Sequence, residues 1–138
     1  MKITYKVNQP ISTDEFISLL TASTLADRRP VDDRECMEGM IKNSNLIVSA
    51  WDGDKLIGIA RSMTDFHYAC YLSDLAVDKS YQSNNIGKEL QKITQKQLKP
   101  KCKIILIAAP IANTYYEHIG FTNNQRCWVL NRDESISS

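Results

Sequence analysis

Tyr71-Leu-Ser-Asp-Leu-Ala-Val77, followed by Gln82-Ser-Asn-Asn-Ile-Gly-Lys88, is the stretch that decides the architecture of this chain. The first segment reads as a strand, from about Cys70 to Val77. The second lies in a polar, non-periodic stretch, Asp78 to Gly87, which reads as a loop. Beyond it Ile86, Leu90, Ile93 and Leu98 recur at helical spacing until Pro100. Strand, loop and helix in this order set a helix N-terminus at the end of a strand. The first amides of such a helix have no internal partner, and the dipole adds about half a positive charge, so the place suits a phosphate. A backbone that approaches an anion wants residues that accept positive φ. Gly87 does so freely, and Asn84 and Asn85 are the next best. Lys88 adds a full charge. Neither G-x-x-x-x-G-K-[ST] nor G-x-G-x-x-G is present.

Working outward, KITYKV at 2–7 alternates as a short strand. Ser12 or Thr13 caps a helix that buries Phe16, Leu19 and Leu20. Residues 26–32 form a loop around Pro30. Asp32 or Asp33 caps a second helix with Met37, Met40 and Ile41 on its inner face. Leu46–Trp51 and Leu56–Met63 read as strands joined at Asp52-Gly53, a hairpin signal. Downstream, the apolar run Ile104–Ala109 predicts a central strand buried on both faces. A short helix follows from Ala112 to Ile119, closed by Gly120, and Cys127–Leu130 predicts a last strand. The order β-α-α-β-β-β-α-β-α-β is an α/β chain with a mixed sheet and helices on its faces, not a doubly wound parallel sheet.

The 138 residues suit one domain, 1–138. With 43% hydrophobic and 24% charged residues the chain has the balance of a globular protein, not of a disordered or collagenous one. Six apolar residues, Ile104–Ala109, fall far short of the roughly twenty of a membrane span. The start, MKITYKVNQP, has no apolar signal core. Cys36, Cys70, Cys102 and Cys127 are widely spaced and read as free thiols, which points to the cytoplasm; no metal site is expected. The net charge of +1 conceals seven lysines against one acid over residues 79–103. That segment suggests a polyanionic partner, such as nucleic acid, anionic lipid or a phosphorylated cofactor, or else a solvated helix face.

At the loop the chain resembles the GNAT acyl-CoA acyltransferase family, whose phosphate loop reads [QR]-x-x-G-x-[GA]. Gln82, Asn85 and Gly87 stand at the marked positions. Downstream, Ala112-Asn-Thr-Tyr115-Tyr116-Glu-His-Ile-Gly120-Phe121 is similar to that family's A-x-x-[FY]-Y-x-x-x-G-F helix. The resemblance covers residues 70–121. It implies a GNAT-like fold with a mostly antiparallel central sheet and helices on both faces. Strand 70–77 should splay from strand 104–109, so that a pantetheine arm lies along backbone groups of Leu75, Ala76 and Val77. Backbone amides of Gln82, Ser83, Asn84, Asn85, Ile86, Gly87 and Lys88 would hold the pyrophosphate of acetyl-CoA or CoA. Tyr116 matches the tyrosine near the thioester sulfur. Two positions depart from the pattern: Asn85 replaces the first glycine and is expected to be a tolerated positive-φ position, and Ala109 stands where many members carry asparagine.

The implied activity is an acetyl-CoA-dependent N-acetyltransferase, in which a primary amine of a small molecule or peptide attacks the thioester directly. Tyr116 would donate to the leaving thiolate. Asp74, a carboxylate within a strand, is the candidate base, though it reads equally as an ion-pair partner. His67 and His118 read as surface histidines, and Cys70 and Cys127 as buried small apolar residues rather than nucleophiles. The loop carrying Arg28, Arg29, Asp32 and Asp33 would border the acceptor. Neither nucleic acid nor membrane is an expected partner, and a homodimer is compatible with the resemblance. Two alternatives stay open: a non-catalytic acyl-CoA-binding sensor of the same fold, and a nucleic-acid-binding module using Lys88, Lys92, Lys96 and Lys99.

Overall fold

The computed structural model describes residues 2–137, the side chain of Ser83 excepted. The chain divides between Ile107 and Ala108 into two compact units.

The first unit is built on a five-stranded sheet in sequential order. Its strands are β1 (Ile3–Val7), β2 (Leu46–Asp52), β3 (Lys55–Thr64), β4 (Ala69–Val77) and β5 (Lys103–Ile105). The pairings from β1 to β4 are antiparallel, and β4 pairs with β5 in parallel. Helices α1 (Thr13–Ser23) and α2 (Arg34–Lys42) follow β1, and α3 (Ile86–Lys96) connects β4 to β5.

Local chemistry starts α1, α2 and the β2–β3 hairpin where they begin. The Ser12 hydroxyl accepts from the Glu15 amide and the Glu15 carboxylate accepts from the Ser12 amide, a reciprocal cap on α1. The Asp33 carboxylate accepts from the Cys36 amide and starts α2. The β2–β3 hairpin turns at Gly53 with φ +62°, a conformation that costs glycine nothing.

The sheet buries both faces. On one, Phe16, Leu19, Leu20 and Met37 from α1 and α2 pack on Ile47, Trp51, Ile59 and Ala76. On the other, Ile86 and Leu90 of α3 pack on Val48, Ala50, Ile57 and Leu72. Gly58 makes the second contact close. A Cβ there would lie 3.1 Å from Leu90 and 3.2 Å from Ile86, so the missing side chain lets the N-terminal half of α3 settle onto β3.

The strand buried on both faces is β2, where all six residues from Leu46 to Trp51 are buried, and not the expected run Ile104–Ala109. Only Ile104 and Ile105 of that run are in a strand; β5 lies at the sheet's edge, and Ile105 is 42% exposed. An apolar run shows that a segment can be buried. Its place in the strand order determines whether it is.

In the second unit a turn at Pro110–Ala112 leads into α4 (Asn113–His118). Gly120, with φ +106°, closes it. The amides of Phe121 and Gly120 return to the carbonyls of Tyr116 and Glu117, which satisfies the last turn. The expected strand Cys127–Leu130 does not form. Residues 108–137 contain no strand to pair with it, and Trp128 is 90% exposed.

Candidate active site

The site begins at an open sheet edge. Pairing of β4 with β5 stops at Tyr71 opposite Ile105, whereas β4 runs on to Val77. From Leu72 onward, among the described residues, β4 has β3 on one side and no strand on the other. Which groups face the open side follows from the register. The Asp78 amide donates to the Ile57 carbonyl, and Ala76 stands opposite Ile59. Ladder bonds alternate, so the polar groups of Ala76 turn to β3 and those of Leu75 and Val77 to the open edge. The expected contact from Ala76 is therefore corrected: its backbone is committed to the sheet and its side chain is buried. The Gln82 side-chain amide already donates to the Val77 carbonyl, at 3.1 Å.

The loop beyond β4 is more ordered than its composition predicts. Lys79–Asn84 form a 3-10 turn, started by the Asp78 carboxylate, which accepts from the Ser80 amide. The Tyr81 hydroxyl donates to the Asp52 carboxylate at 2.7 Å, and this bond raises the phenol above its ordinary pKa. Lys55 lies 3.7 Å from Asp78. The turn is thus moored to the β2–β3 hairpin. Asn85 then adopts φ +57°, ψ +21°, and α3 starts at Ile86.

Positive φ was expected of Gly87, and of Asn85 where it replaces the motif's first glycine. The structure assigns it to Asn85, while Asn84 and Gly87 lie outside that region. Because α3 starts one residue earlier than Gly87, Gly87 sits in the first helical turn. What it offers is space: a Cβ there would lie 3.8 Å from Val77. Among the described residues no side chain caps α3, unlike α1 and α2, so the amides of Ile86, Gly87 and Lys88 are left at its N-terminus. Gln82, Asn84, Asn85 and Lys88 are exposed around them, whereas the Ile86 side chain is buried, which leaves only its backbone to the site. The Ser83 side chain, also expected here, lies outside the described residues.

Asp74 is wholly buried between two guanidinium groups. Arg61 Nε donates to its Oδ2 and Arg29 Nε to its Oδ1, each at 2.5 Å. Arg61 also donates to the Met40 carbonyl, the Ser44 hydroxyl and the Ser73 hydroxyl. Arg29 donates to the Ser73 carbonyl at 2.8 Å. The register shows why that carbonyl is available: Arg61 pairs with Asp74 and Ser62 with Leu72, so Ser73 is an extra residue in β4. This placement corrects Asp74 as the candidate base, since neither of its oxygens faces solvent and each already holds a donor.

Arg61, Ser73, Tyr81 and Asp52 belong to no motif that marks them as site residues, and Arg29 was expected to border the acceptor rather than to hold Asp74. Arg61 alone leaves a trace in the sequence: it interrupts the apolar run of β3 as Asp74 interrupts β4, one charge of each sign in neighbouring strands.

In the second unit the Tyr116 ring is half-buried, edge-on to Tyr115 at 5.2 Å and to Phe121 at 5.4 Å. Burial, with a smaller effect from Tyr115, pushes its phenol above the ordinary value. His67 and His118 are exposed. Cys70 is buried and its thiol is pushed up by desolvation, but Cys127 is exposed rather than the buried residue expected. Lys88, Lys92, Lys96 and Lys99 are all exposed. Among the described residues no three His, Cys, Asp or Glu side chains group as a metal site, and no helix is long and apolar enough to cross a membrane.

Comparison with known proteins gives related results. The acetyltransferase (GNAT) domain family model matches residues 21–129. An uncharacterized N-acetyltransferase, ycf52-like, from Prochlorococcus marinus is 31% identical over 115 residues, covering 75% of this chain. The chain spans 62% of that relative's length. A GNAT family acetyltransferase from Streptococcus pneumoniae TIGR4 has a TM-score of 0.76 at 24% identity, over 96% of this chain and 100% of that one. An aminoglycoside N-acetyltransferase, AAC(6')-Iy, solved in complex with CoA, has a TM-score of 0.72 at 16% identity, over 96% of this chain and 95% of that one. At these identities the two structures show a shared fold.

Proposed function

This chain belongs to the GNAT acetyltransferase family, and we propose that it transfers an acetyl group from acetyl-CoA to a primary amine of a small molecule or peptide. The observation that carries the reading is the adjacency of two backbone sites: the open edge of β4, where the polar groups of Leu75 and the Val77 amide meet no strand among the described residues, and the N-terminus of α3, whose first amides no described side chain caps. An extended pantetheine arm fits the first as an added strand. A pyrophosphate fits the second, where the amides of Ile86, Gly87 and Lys88 and the Lys88 ammonium supply donors and charge. The aminoglycoside acetyltransferase of the same fold was solved in complex with CoA, which supports the same donor here. We treat residues 1–138 as one acetyltransferase domain, a reading supported by a family match that runs across Ile107.

The attacking amine must be neutral. At about pH 7.5 an alkylamine of pKa about 10.4 is neutral to about one part in a thousand, so a proton has to leave it. With Asp74 committed to Arg29 and Arg61, we assign that proton to water. From the resemblance at 112–121 we assign Tyr116 to the departing thiolate. Full transfer from an ordinary phenol to a thiolate of pKa about 8.5 is uphill by roughly 2 kcal/mol, and the raised phenol makes it steeper. Tyr116 therefore acts as a hydrogen-bond donor to developing charge and stays protonated. With four free cysteines, the site of action is read as the cytoplasm.

Thermal unfolding with acetyl-CoA, CoA, NAD or duplex DNA at matched salt tests this reading. At about a hundred times Kd a ligand adds roughly 2.7 kcal/mol, a rise of several degrees. A rise with the CoA species alone is expected, followed by turnover on an amine panel. Binding without turnover would make the chain an acyl-CoA sensor, and a rise with DNA alone would overturn the assignment.

A further inference from the structure

We infer that Arg29 is a positioning residue for the acyl donor: it fixes the β4 bulge, so the pantetheine half of CoA depends on it and the nucleotide half does not. The inference rests on the donor proposed above. Arg29 follows a 3-10 turn, Leu25–Arg28, in the segment between α1 and α2, and is far in sequence from the strand that it holds. Its guanidinium makes three bonds, to the Arg28 carbonyl, the Asp74 carboxylate and the Ser73 carbonyl.

The Ser73 bond matters most. Ser73 is the residue that β3 leaves unpaired, and Leu75 and Val77, two and four places further along, present their polar groups on the open side. An extra residue in a strand sets the direction in which the strand continues. Arg29 takes the carbonyl that the bulge frees, and Asp74 holds Arg29 in place with Arg61 bracing it from behind. Arg61 is in turn tied to the C-terminal end of α2 through the Met40 carbonyl and Ser44. The network fixes the bulge from three elements and touches none of the groups at the start of α3. Those are moored separately, through Tyr81 and Asp52.

Titration of CoA and of its nucleotide half, 3′-phospho-ADP, into wild type, Arg29→Met and Arg29→Lys separates the two halves. The wild type should bind both. Arg29→Met should weaken CoA about tenfold and leave 3′-phospho-ADP within about twofold. Arg29→Lys keeps the charge beside Asp74 but loses the planar fork that reaches Asp74 and Ser73 together, so it should also weaken CoA selectively. Hydrogen exchange gives a readout that needs no ligand: the Ala76 amide should exchange faster in Arg29→Lys while α3 is unchanged. Equal loss for both ligands, unchanged CoA binding, or unchanged exchange at Ala76 would overturn the inference. A wild type that binds neither ligand would overturn the donor reading itself, and this inference with it.

Discussion

Arg61 and Asp74 stand opposite each other in the register of β3 and β4, and their side chains, 4% and 0% exposed, form an ion pair inside the sheet. A buried pair of this kind is a weak source of net stability, but breaking it is costly, because the remaining charge is left in a poor solvent. Arg61→Met removes the better buried of the two guanidinium partners of Asp74. It should lower the unfolding free energy by about 3 kcal/mol, read from urea denaturation with an unchanged slope. A loss well under about 1 kcal/mol would show that water reaches Asp74.

Gly58 is the second packing constraint. A Cβ would meet Leu90, Ile86 and Ala50 at 3.1–3.3 Å, and a branched side chain would have to displace α3. Gly58→Val should destabilise by about 1–3 kcal/mol and weaken CoA binding together with stability. Calorimetry on the variant checks both.

Asn85 and Gly87 carry different demands. Asn85 is in the left-handed region, so Asn85→Gly should be neutral or slightly stabilising, while Asn85→Ala should cost about 1 kcal/mol. Gly87 is helical and has room for a methyl group, so Gly87→Ala should keep or raise stability. The same methyl group would stand among the amides assigned to the pyrophosphate, and CoA affinity should fall. Thermal melts with and without CoA separate the two effects.

Tyr116→Phe removes the proposed donor to the thiolate and keeps the ring against Tyr115 and Phe121. Once an accepting amine is in hand, kcat should drop by about tenfold to a hundredfold, with the CoA dissociation constant unchanged. An unchanged kcat would return Tyr116 to a packing role.

Asp65 offers a pH test outside the site. Its carboxylate accepts from the amides of His67, Tyr68 and Ala69, and these bonds hold it at about 2. A carboxyl depressed on folding stabilises the native state above its unfolded value of about 3.9, and that contribution is lost as pH falls toward 2. NMR titration of Asp65 should give a midpoint near 2, and Asp65→Asn should flatten the acid limb of stability.

Much of this molecule is legible in its sequence. Ser12 and Asp33 declare two helix starts, Gly53 declares the hairpin, and the spacing of Ile86, Leu90 and Ile93 declares α3, because each of these depends on residues a few places apart. The paired motifs at 82–88 and 112–121 point to the family for the same reason. Gly87 shows the limit of local reading. Positive φ at Asn85 follows from its place in the motif, but that Gly87 is helical depends on where α3 starts, which packing of Ile86 and Leu90 against β3 settles.

The burial of β2 in place of 104–109, the meeting of Asp74 with Arg29 and Arg61, and the turn of Ala76 away from the open edge were all decided by tertiary structure. Each depends on strand order and register, which pair residues up to dozens of positions apart. Hydrophobic period and turn chemistry fix what each segment becomes. They do not fix which neighbour it faces, and a register shift of one residue turns every side chain to the opposite face.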